Sequence, residues 1–326
     1  MFAHISNHSY ICRVNDLENM ITKPNVKINL GLNVLRKRED GFHDLETLFV
    51  PYFRISDTLE IVVGEDYSRT SAALFGKYGS AQTDEGLPCL VQGMSEDGKL
   101  MITIARAEGI DWDPMKDLTA KAYMILAEDH DLPPVKIFLE KTSPVGAGLG
   151  GGSSDAAFAL KMLDELCSLN LSEQQLADYA ARLGSDCAFF IYNRPMIGEG
   201  RGEVLTEYPL AGIDYGQDAV DHAEGQDSIN DIAADYEVTV LTPEGIAVST
   251  ADAYRGIKPQ LPETPLKDAL AKPVEAWKDC LFNDFEITVF DKHPELAAIK
   301  RSLYDSGAVY ASMSGSGSAL FAIYRK

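Results

Sequence analysis

Glycines at 146, 148, 150, 151 and 152 run into Ser153 and Ser154, and residues of these types at this spacing can hold phosphate. A loop with so little side-chain bulk lets its backbone N–H groups converge on one point, with two hydroxyls at its end. Ahead of it, residues 135–141 carry apolar side chains at 135, 137 and 139, the alternation of a strand. Beyond it, apolar residues at 157, 160, 163, 166 and 167 follow helical spacing. A helix starting there adds unpaired donors and a partial positive charge. Strand, glycine loop and helix N-terminus together are the parts of a phosphate cradle.

Positions 146, 148 and 151 also satisfy G-x-G-x-x-G, the fingerprint of dinucleotide-binding units. That reading needs an acidic residue about twenty positions past the glycines to hold a ribose. Leu169, Asn170 and Leu171 stand there, with Glu173 just beyond. The serine pair suits a nucleoside triphosphate better, and G-x-x-x-x-G-K-[ST] occurs nowhere in the chain. A nucleotide-binding oxidoreductase and a non-catalytic regulatory protein stay as alternatives.

The elements that must position these groups surround them. Residues 26–34 alternate, with Val26, Ile28, Leu30, Leu32 and Val34 on one face and Lys27, Asn29, Gly31 and Asn33 on the other. Period two predicts a strand with one buried face, so Lys27 and Asn29 point together at whatever lies opposite. Asp40-Gly41 is a hairpin signal before Phe42 and His43, and a strand pair over 56–63 is expected to continue the sheet. Residues 64–113 mix scattered glycines with short β-like runs and read as an insertion, an extra hairpin. A helix is expected over 117–126. Ser172 and Gln175 form a capping box for another, which Gly184 closes. A helix over 295–304 stops at Gly307, and a second glycine–serine loop at 312–318 leads into a strand.

Pro144-Val-Gly-Ala-Gly-Leu-Gly-Gly-Gly-Ser-Ser resembles the ATP loop of the GHMP kinases, the family of galactokinase, homoserine kinase and mevalonate kinase. Pro24-Asn-Val-Lys-Ile-Asn-Leu with Asp40-Gly-Phe-His-Asp-Leu is similar to the first motif and base pocket of members whose acceptor carries a cytidine diphosphate. The 312–318 loop is similar to the family's third motif. Leu183-Gly-Ser-Asp-Cys-Ala-Phe-Phe resembles the segment that holds the acid–base aspartate, with Ala188 where relatives have proline. The resemblance implies an α+β, two-domain GHMP kinase fold, with a ribosomal-S5-like N-terminal domain and a ferredoxin-like C-terminal domain. It implies ATP and Mg²⁺, with Lys141, Pro144, Gly146, Gly148, Leu149, Gly150, Gly151, Gly152, Ser153 and Ser154 holding the triphosphate. Lys27 and Asp186 are then catalytic: Asp186 takes or orients the hydroxyl proton, and Lys27 stabilises developing negative charge. Asn29, Phe42, His43, Thr250 and Tyr254 would bind the acceptor, its pyrimidine between the rings of Phe42 and Tyr254. Asp117 stands where relatives place an asparagine against adenine.

On this reading residues 1–20 are a disordered leader, 21–190 the N-terminal domain and 191–326 the C-terminal domain, with a second insertion over 212–236. Residues 214–237 hold acids at 214, 218, 221, 224, 227, 231, 235 and 237 and no Lys or Arg, which reads as a solvated surface segment. The whole chain has a net charge of −21, which argues against nucleic acid and anionic membrane as partners and for a small-molecule substrate. Any phosphate site must therefore be locally positive. Cysteines at 12, 89, 167, 187 and 280 make no C-x-x-C pair and read as thiols kept reduced in the cytoplasm. No apolar run reaches the length of a membrane span.

Overall fold

The computed structural model describes residues 19–64, 66–216 and 234–326. Most of the acidic stretch and residues 1–18 lie outside the described residues. Strands β1 (Asn19–Thr22), β4 (Thr58–Val63), β5 (Leu90–Met94), β6 (Leu100–Arg106) and β7 (Val135–Lys141) form one sheet in the order β1-β4-β7-β6-β5. A second sheet runs β2 (Asn25–Lys37), β3 (His43–Ser56), β8 (Met196–Glu199), β9 (Val204–Glu207). The third holds β10 (Ile213–Asp214), β11 (Tyr236–Leu241), β12 (Tyr310–Met313) and β13 (Leu320–Arg325), ordered β10-β11-β13-β12.

The first sheet is covered on both faces, as its alternating apolar residues require. Leu59, Ile61, Ile102, Ile104, Ile137 and Leu139 share a core with α2 (Leu118–Ala127), α3 (Gly151–Leu166) and α5 (Cys187–Tyr192). Val62 and Phe138 pack with Leu74 and Tyr78 of α1 (Ser71–Tyr78). Residues 64–113 are therefore no appendage. The β5–β6 hairpin is present, but β6 is an interior strand parallel to β7, and α1 shields one face of the sheet. The strand over 58–63 likewise joins this sheet and not that of β2 and β3.

Two boundaries read from sequence need moving. Asn19 and Met20 pair with Val62 and Ile61, and the Met20 side chain is buried, so the fold begins before residue 21. Asp214 is no solvated acid: it is buried and paired with Arg54 at 2.8 Å and Lys326 at 2.7 Å.

Strand β2 departs from the simple alternation, and its bulge sets up the site. Val26, Ile28 and Leu30 pack with Trp277, Tyr310 and Phe321, while Leu32 and Val34 join a separate core with Phe285 and Met313. The pairing slips between Leu30↔Leu48 and Leu32↔Thr47, so Gly31 is an extra residue that re-aims the strand. Gly31 has φ +68, and a Cβ there would lie 2.5 Å from Leu281 Cδ1, so only glycine fits. The opposite face is not solvated either: Lys27 and Asn29 are both buried. The remaining helices are α4 (Glu173–Leu183), α6 (Thr250–Tyr254), α7 (Leu266–Leu270), α8 (Phe285–Lys292) and α9 (Pro294–Asp305). The capping box forms as expected, with the Ser172 hydroxyl accepting from the Gln175 N–H and the Gln175 side chain accepting from the Ser172 N–H.

Candidate active site

A cleft of about 590 Å³ is lined by residues of β2, the hairpin at 41–43, the glycine loop, the 315–316 turn and the start of α6. Lys27 lies at its floor. The Lys27 backbone N–H donates to the Leu149 carbonyl at 2.9 Å, which laces β2 to the glycine loop. Its side chain is 3% exposed, and Nζ donates to Asn29 Oδ1 at 2.6 Å and to the Gly148 carbonyl at 2.8 Å. Asp186 Oδ2 stands 3.5 Å from Nζ, and the Phe49 ring centroid 5.6 Å away. Burial lowers the Lys27 pKa below the ordinary lysine value, and the Asp186 carboxylate offsets only part of this. Asp186 occupies the cap position ahead of α5, yet it makes no capping hydrogen bond. Its carboxylate is left half-buried beside Lys27 and at the cleft wall. The two residues that the sequence named as catalytic thus meet across 159 positions of chain.

Gly146, Gly148 and Gly150 line the cleft. Gly148 explains the glycine requirement best. At φ +78, a Cβ there would lie 2.2 Å from the Ser314 carbonyl, so the two glycine–serine loops touch backbone to backbone. Ser314 Oγ also donates to the Gly148 carbonyl at 3.0 Å. Gly151, Gly152 and Ser153 form the first turn of α3 behind a half-buried Pro144, at the positive end of the helix. Among the residues lining the cleft, Lys27 and Arg201 face one carboxylate, Asp186, so the site is locally positive within a chain of net charge −21.

Lys141, Leu149 and Ser154, assigned to the triphosphate, turn away from the cleft, and Pro144, Gly151, Gly152 and Ser153 are not among the residues that line it. Lys141 is buried behind the loop, paired with Asp57 at 3.0 Å and with Asp155. Burial opposes its charge, but the Asp155 and Asp57 carboxylates outweigh burial and hold its pKa above the ordinary lysine value. Leu149 has its side chain in the apolar core. Ser154 is fully buried inside α3, its Oγ unpartnered and its N–H donating to the Gly150 carbonyl. Asn29 lines the cleft, but its amide is committed to Lys27 on one side and Thr47 on the other. That engagement makes it a neighbour of Lys27 first and an acceptor ligand second.

Also lining the cleft, Tyr254 stacks on His43 with ring centroids 4.8 Å apart and meets Phe285 edge-on at 4.7 Å. Phe42 is half exposed, with the Arg201 guanidinium 5.1 Å from its ring centroid. The aromatic pair does flank the cleft, but His43 occupies one face of Tyr254. The His43 pKa is lowered, by burial first and Lys37 second. Thr250 opens α6 and shares a hydrogen bond of 3.0 Å with Ser316. Asp117 is drawn into its own helix instead of an open site: its side chain caps α2 through the Thr119 N–H and accepts from Trp112 Nε1 at 3.2 Å.

Sequence reasoning missed Asp57, Thr47 and Arg201. Asp57 accepts from the N–H groups of Thr142 and Ser143 and from Ser143 Oγ, which fixes the entry to the glycine loop. A lone aspartate between two strands carries no signal of that. Arg201, a cation between Gly200 and Gly202 in an acidic chain, did offer one. Among the described residues no three Asp, Glu, His or Cys side chains gather to hold a metal. The donor set fits Mg²⁺ as an ion held mainly by nucleotide phosphates, with Asp186 the carboxylate at hand.

The chain matches the models of the GHMP kinases N terminal domain over residues 117–194 and the GHMP kinases C terminal domain over residues 266–326. It is 42% identical to the 4-diphosphocytidyl-2-C-methyl-D-erythritol kinase of Bacteroides thetaiotaomicron, over 94% of this chain and 92% of that protein. The protein of the same name from Bacteroides fragilis is 40% identical over the same shares. A crystal structure of 4-(cytidine 5'-diphospho)-2C-methyl-D-erythritol kinase superposes with a TM-score of 0.63 at 27% identity, covering 93% of this chain and 89% of that one. Homoserine kinase from Cytophaga hutchinsonii shares the fold, with a TM-score of 0.59 at 14% identity over 97% of this chain and 87% of that one.

Proposed function

The chain belongs to the GHMP kinases and is an ATP-dependent small-molecule kinase; we propose that it phosphorylates the 2-hydroxyl of 4-diphosphocytidyl-2-C-methyl-D-erythritol in the non-mevalonate route to isoprenoid precursors. The observation that carries this reading is the Lys27–Asp186 pair at 3.5 Å, in a cleft lined by glycines of both loops and by the rings of Phe42 and Tyr254. On this reading the phosphoryl donor lies against the glycine loops and the base-bearing alcohol against the rings, with the transfer at the Lys27–Asp186 pair.

In the reaction the acceptor oxygen forms a bond to the γ-phosphorus of ATP while the bond from that phosphorus to the β-phosphate oxygen breaks, releasing ADP. Positioning and charge stabilisation supply most of the acceleration in such transfers. Gly146, Gly148 and Gly150, with the first turn of α3, hold the phosphates through backbone N–H groups. The Asp186 carboxylate accepts or orients the proton of the hydroxyl. Lys27, hydrogen-bonded to Asn29 and Gly148 beside Asp186, faces the negative charge that builds on the transferring group. When bound with ATP, Mg²⁺ would supply positive charge to the phosphates, with Asp186 the carboxylate placed to hold it. Phe42 and Tyr254 supply aromatic faces for the cytosine ring.

ADP release measured with this acceptor, mevalonate, homoserine and galactose side by side tests the assignment. Turnover with the cytidyl acceptor at least a hundredfold above the others is expected. Comparable turnover with mevalonate or homoserine would leave the family standing and remove this acceptor.

A further inference from the structure

The turn between β8 and β9 carries an arginine into the cleft. Arg201 stands there between Gly200 and Gly202. The Leu45 N–H donates to the Gly200 carbonyl at 2.7 Å, which ties the turn to β3 just beyond Phe42 and His43. Arg201 is thereby held beside the 41–43 hairpin, its guanidinium carbon 5.1 Å from the Phe42 ring centroid. Among the described residues the guanidinium has one hydrogen-bond acceptor, Glu203 Oε1, 3.4 Å from Nε. Both side chains are part-exposed, and an ion pair of that length between them contributes little. Asp40 also feels the guanidinium, but it is already paired with Arg38 at 3.0 Å. The two terminal nitrogens of Arg201 therefore keep their N–H groups for a ligand.

We propose that Arg201 is a specificity-determining residue that binds the diphosphate of the acceptor. This rests on the cytidyl acceptor of the proposed reaction and deepens it, because it names what recognises the charged link between base and alcohol. The argument is one of charge. The acceptor brings a diphosphate into a chain of net charge −21, beside the triphosphate of ATP. Phosphates that entered a cleft without a counter-charge would give up hydration and gain nothing for it. Among the residues lining the cleft, those with a full positive charge are Lys27 and Arg201. Lys27 is hydrogen-bonded to Asn29 and Gly148 beside Asp186, where the phosphoryl group is transferred on this reading. Arg201 is left for the diphosphate, and its place suits the task. The pyrimidine is assigned to the rings of Phe42 and Tyr254, and the diphosphate joins that base through a single ribose. A guanidinium over Phe42 is thus near the phosphates, and its planar fork matches their oxygens two at a time. A guanidinium that only packed on Phe42 would support the ring and be indifferent to the phosphates.

The experiment compares CDP and cytidine as competitors of the acceptor in wild type, Arg201→Gln and Arg201→Lys. Saturating ATP keeps the triphosphate site filled, so that both probes report on the acceptor site. In Arg201→Gln the Ki of CDP should rise about thirtyfold, ~2 kcal/mol at about 1.4 kcal/mol per tenfold and the scale of hydrogen bonds to a charged group. The Ki of cytidine, which has no phosphate, should rise less than about threefold. Arg201→Lys keeps the charge without the fork, and its CDP Ki should fall between those of wild type and Arg201→Gln. KM for the cytidyl acceptor should follow CDP, rising by a larger factor than kcat falls, and KM for ATP should move less than about threefold. Equal losses for CDP and cytidine would mean that Arg201 acts through Phe42, and a rise confined to KM for ATP would put it on the triphosphate. Either result overturns the proposal, as does a CDP Ki that ignores Arg201→Gln. A wild type that phosphorylates mevalonate or homoserine as readily as the cytidyl acceptor sinks the acceptor itself, and the role of Arg201 with it. That failure is read in wild type alone, the other in the variants, so the two are distinct.

Discussion

Two buried lysines flank the glycine loop, and their surroundings are opposite. Lys27 on the cleft side and Lys141 behind the loop are 3% and 4% exposed. Burial alone penalises both ammonium groups alike. Lys141 has two buried carboxylates, Asp57 and Asp155, and its pKa rises. Lys27 has one half-exposed carboxylate and two neutral acceptors, and its pKa falls. The first arrangement spends the cation on holding structure: Asp57 also anchors the Thr142 and Ser143 N–H groups, so the ion cluster fixes where the loop begins. The second leaves the cation under-neutralised beside a cleft, where an incoming phosphate completes its pairing. A buried charge lacking a full counter-charge is expensive, and it is kept where binding repays it.

Substitutions on each side should divide along that line. Asp186→Asn should lower kcat by about a thousandfold, within the range for loss of a positioned acid–base group, while the midpoint of urea unfolding falls less than in Lys141→Met, because Asp186 is only half-buried. Turnover within about tenfold of wild type, a loss of only ~1.4 kcal/mol, would break the functional half of the comparison. On the structural side, Lys141→Met leaves Asp57 and Asp155 buried without a cation and should cost about 3 kcal/mol of unfolding free energy, as removal of one partner from a buried ion pair does. The folded fraction should keep its turnover within about tenfold. A Lys141→Met protein as stable as wild type but inactive would move Lys141 to the catalytic side and erase the contrast.

Sequence pattern made one of these lysines legible and misled about the other. Lys27 alternates with core residues on a strand, so its common face with Asn29 could be read directly. Lys141 ends an alternating strand and leads into the loop, and the family resemblance put it among the phosphate ligands. What turned it away was Asp57, 84 positions earlier and without a pattern of its own. The same limit applies to Thr47: a threonine in a strand is ordinary, and nothing in the letters shows its hydroxyl donating to the Gly31 carbonyl and accepting from Asn29. The glycine loop, the capping box and the helices after the loop, over 117–126 and over 295–304 were legible because each is written within a few consecutive residues, whereas α1, inside the stretch read as a hairpin, was not. The bulge at Gly31 was not, since alternation over 26–34 continues unbroken in the letters while the backbone inserts a residue. The reading of residues 64–113 as an insertion failed to anticipate an interior strand, because whether a β-like run is edge or centre depends on partners elsewhere in the chain.

The aromatic lining of the cleft gives the smallest expected effect and the sharpest use of the contrast between holding structure and binding substrate. Tyr254 is gripped by His43 and Phe285, while Phe42 is half exposed beneath Arg201. If both rings receive the acceptor's pyrimidine, each stacking interaction is worth about 1–3 kcal/mol, the range found for bases on aromatic side chains. Phe42→Ala and Tyr254→Ala should then each raise KM for the cytidyl acceptor by about tenfold, which corresponds to ~1.4 kcal/mol, and change kcat by less than about threefold. KM for ATP should change by less than about threefold, because on this reading the triphosphate is held by the glycine-loop backbone and not by these rings. Tyr254→Ala should show the larger stability loss of the two, since Tyr254 packs against Phe285 in a buried core whereas Phe42 meets solvent. Equal rises in KM for ATP and acceptor would mean that the rings shape the cleft as a whole. A rise for Tyr254→Ala with none for Phe42→Ala would leave a single stacking face, with His43 moving aside to open it.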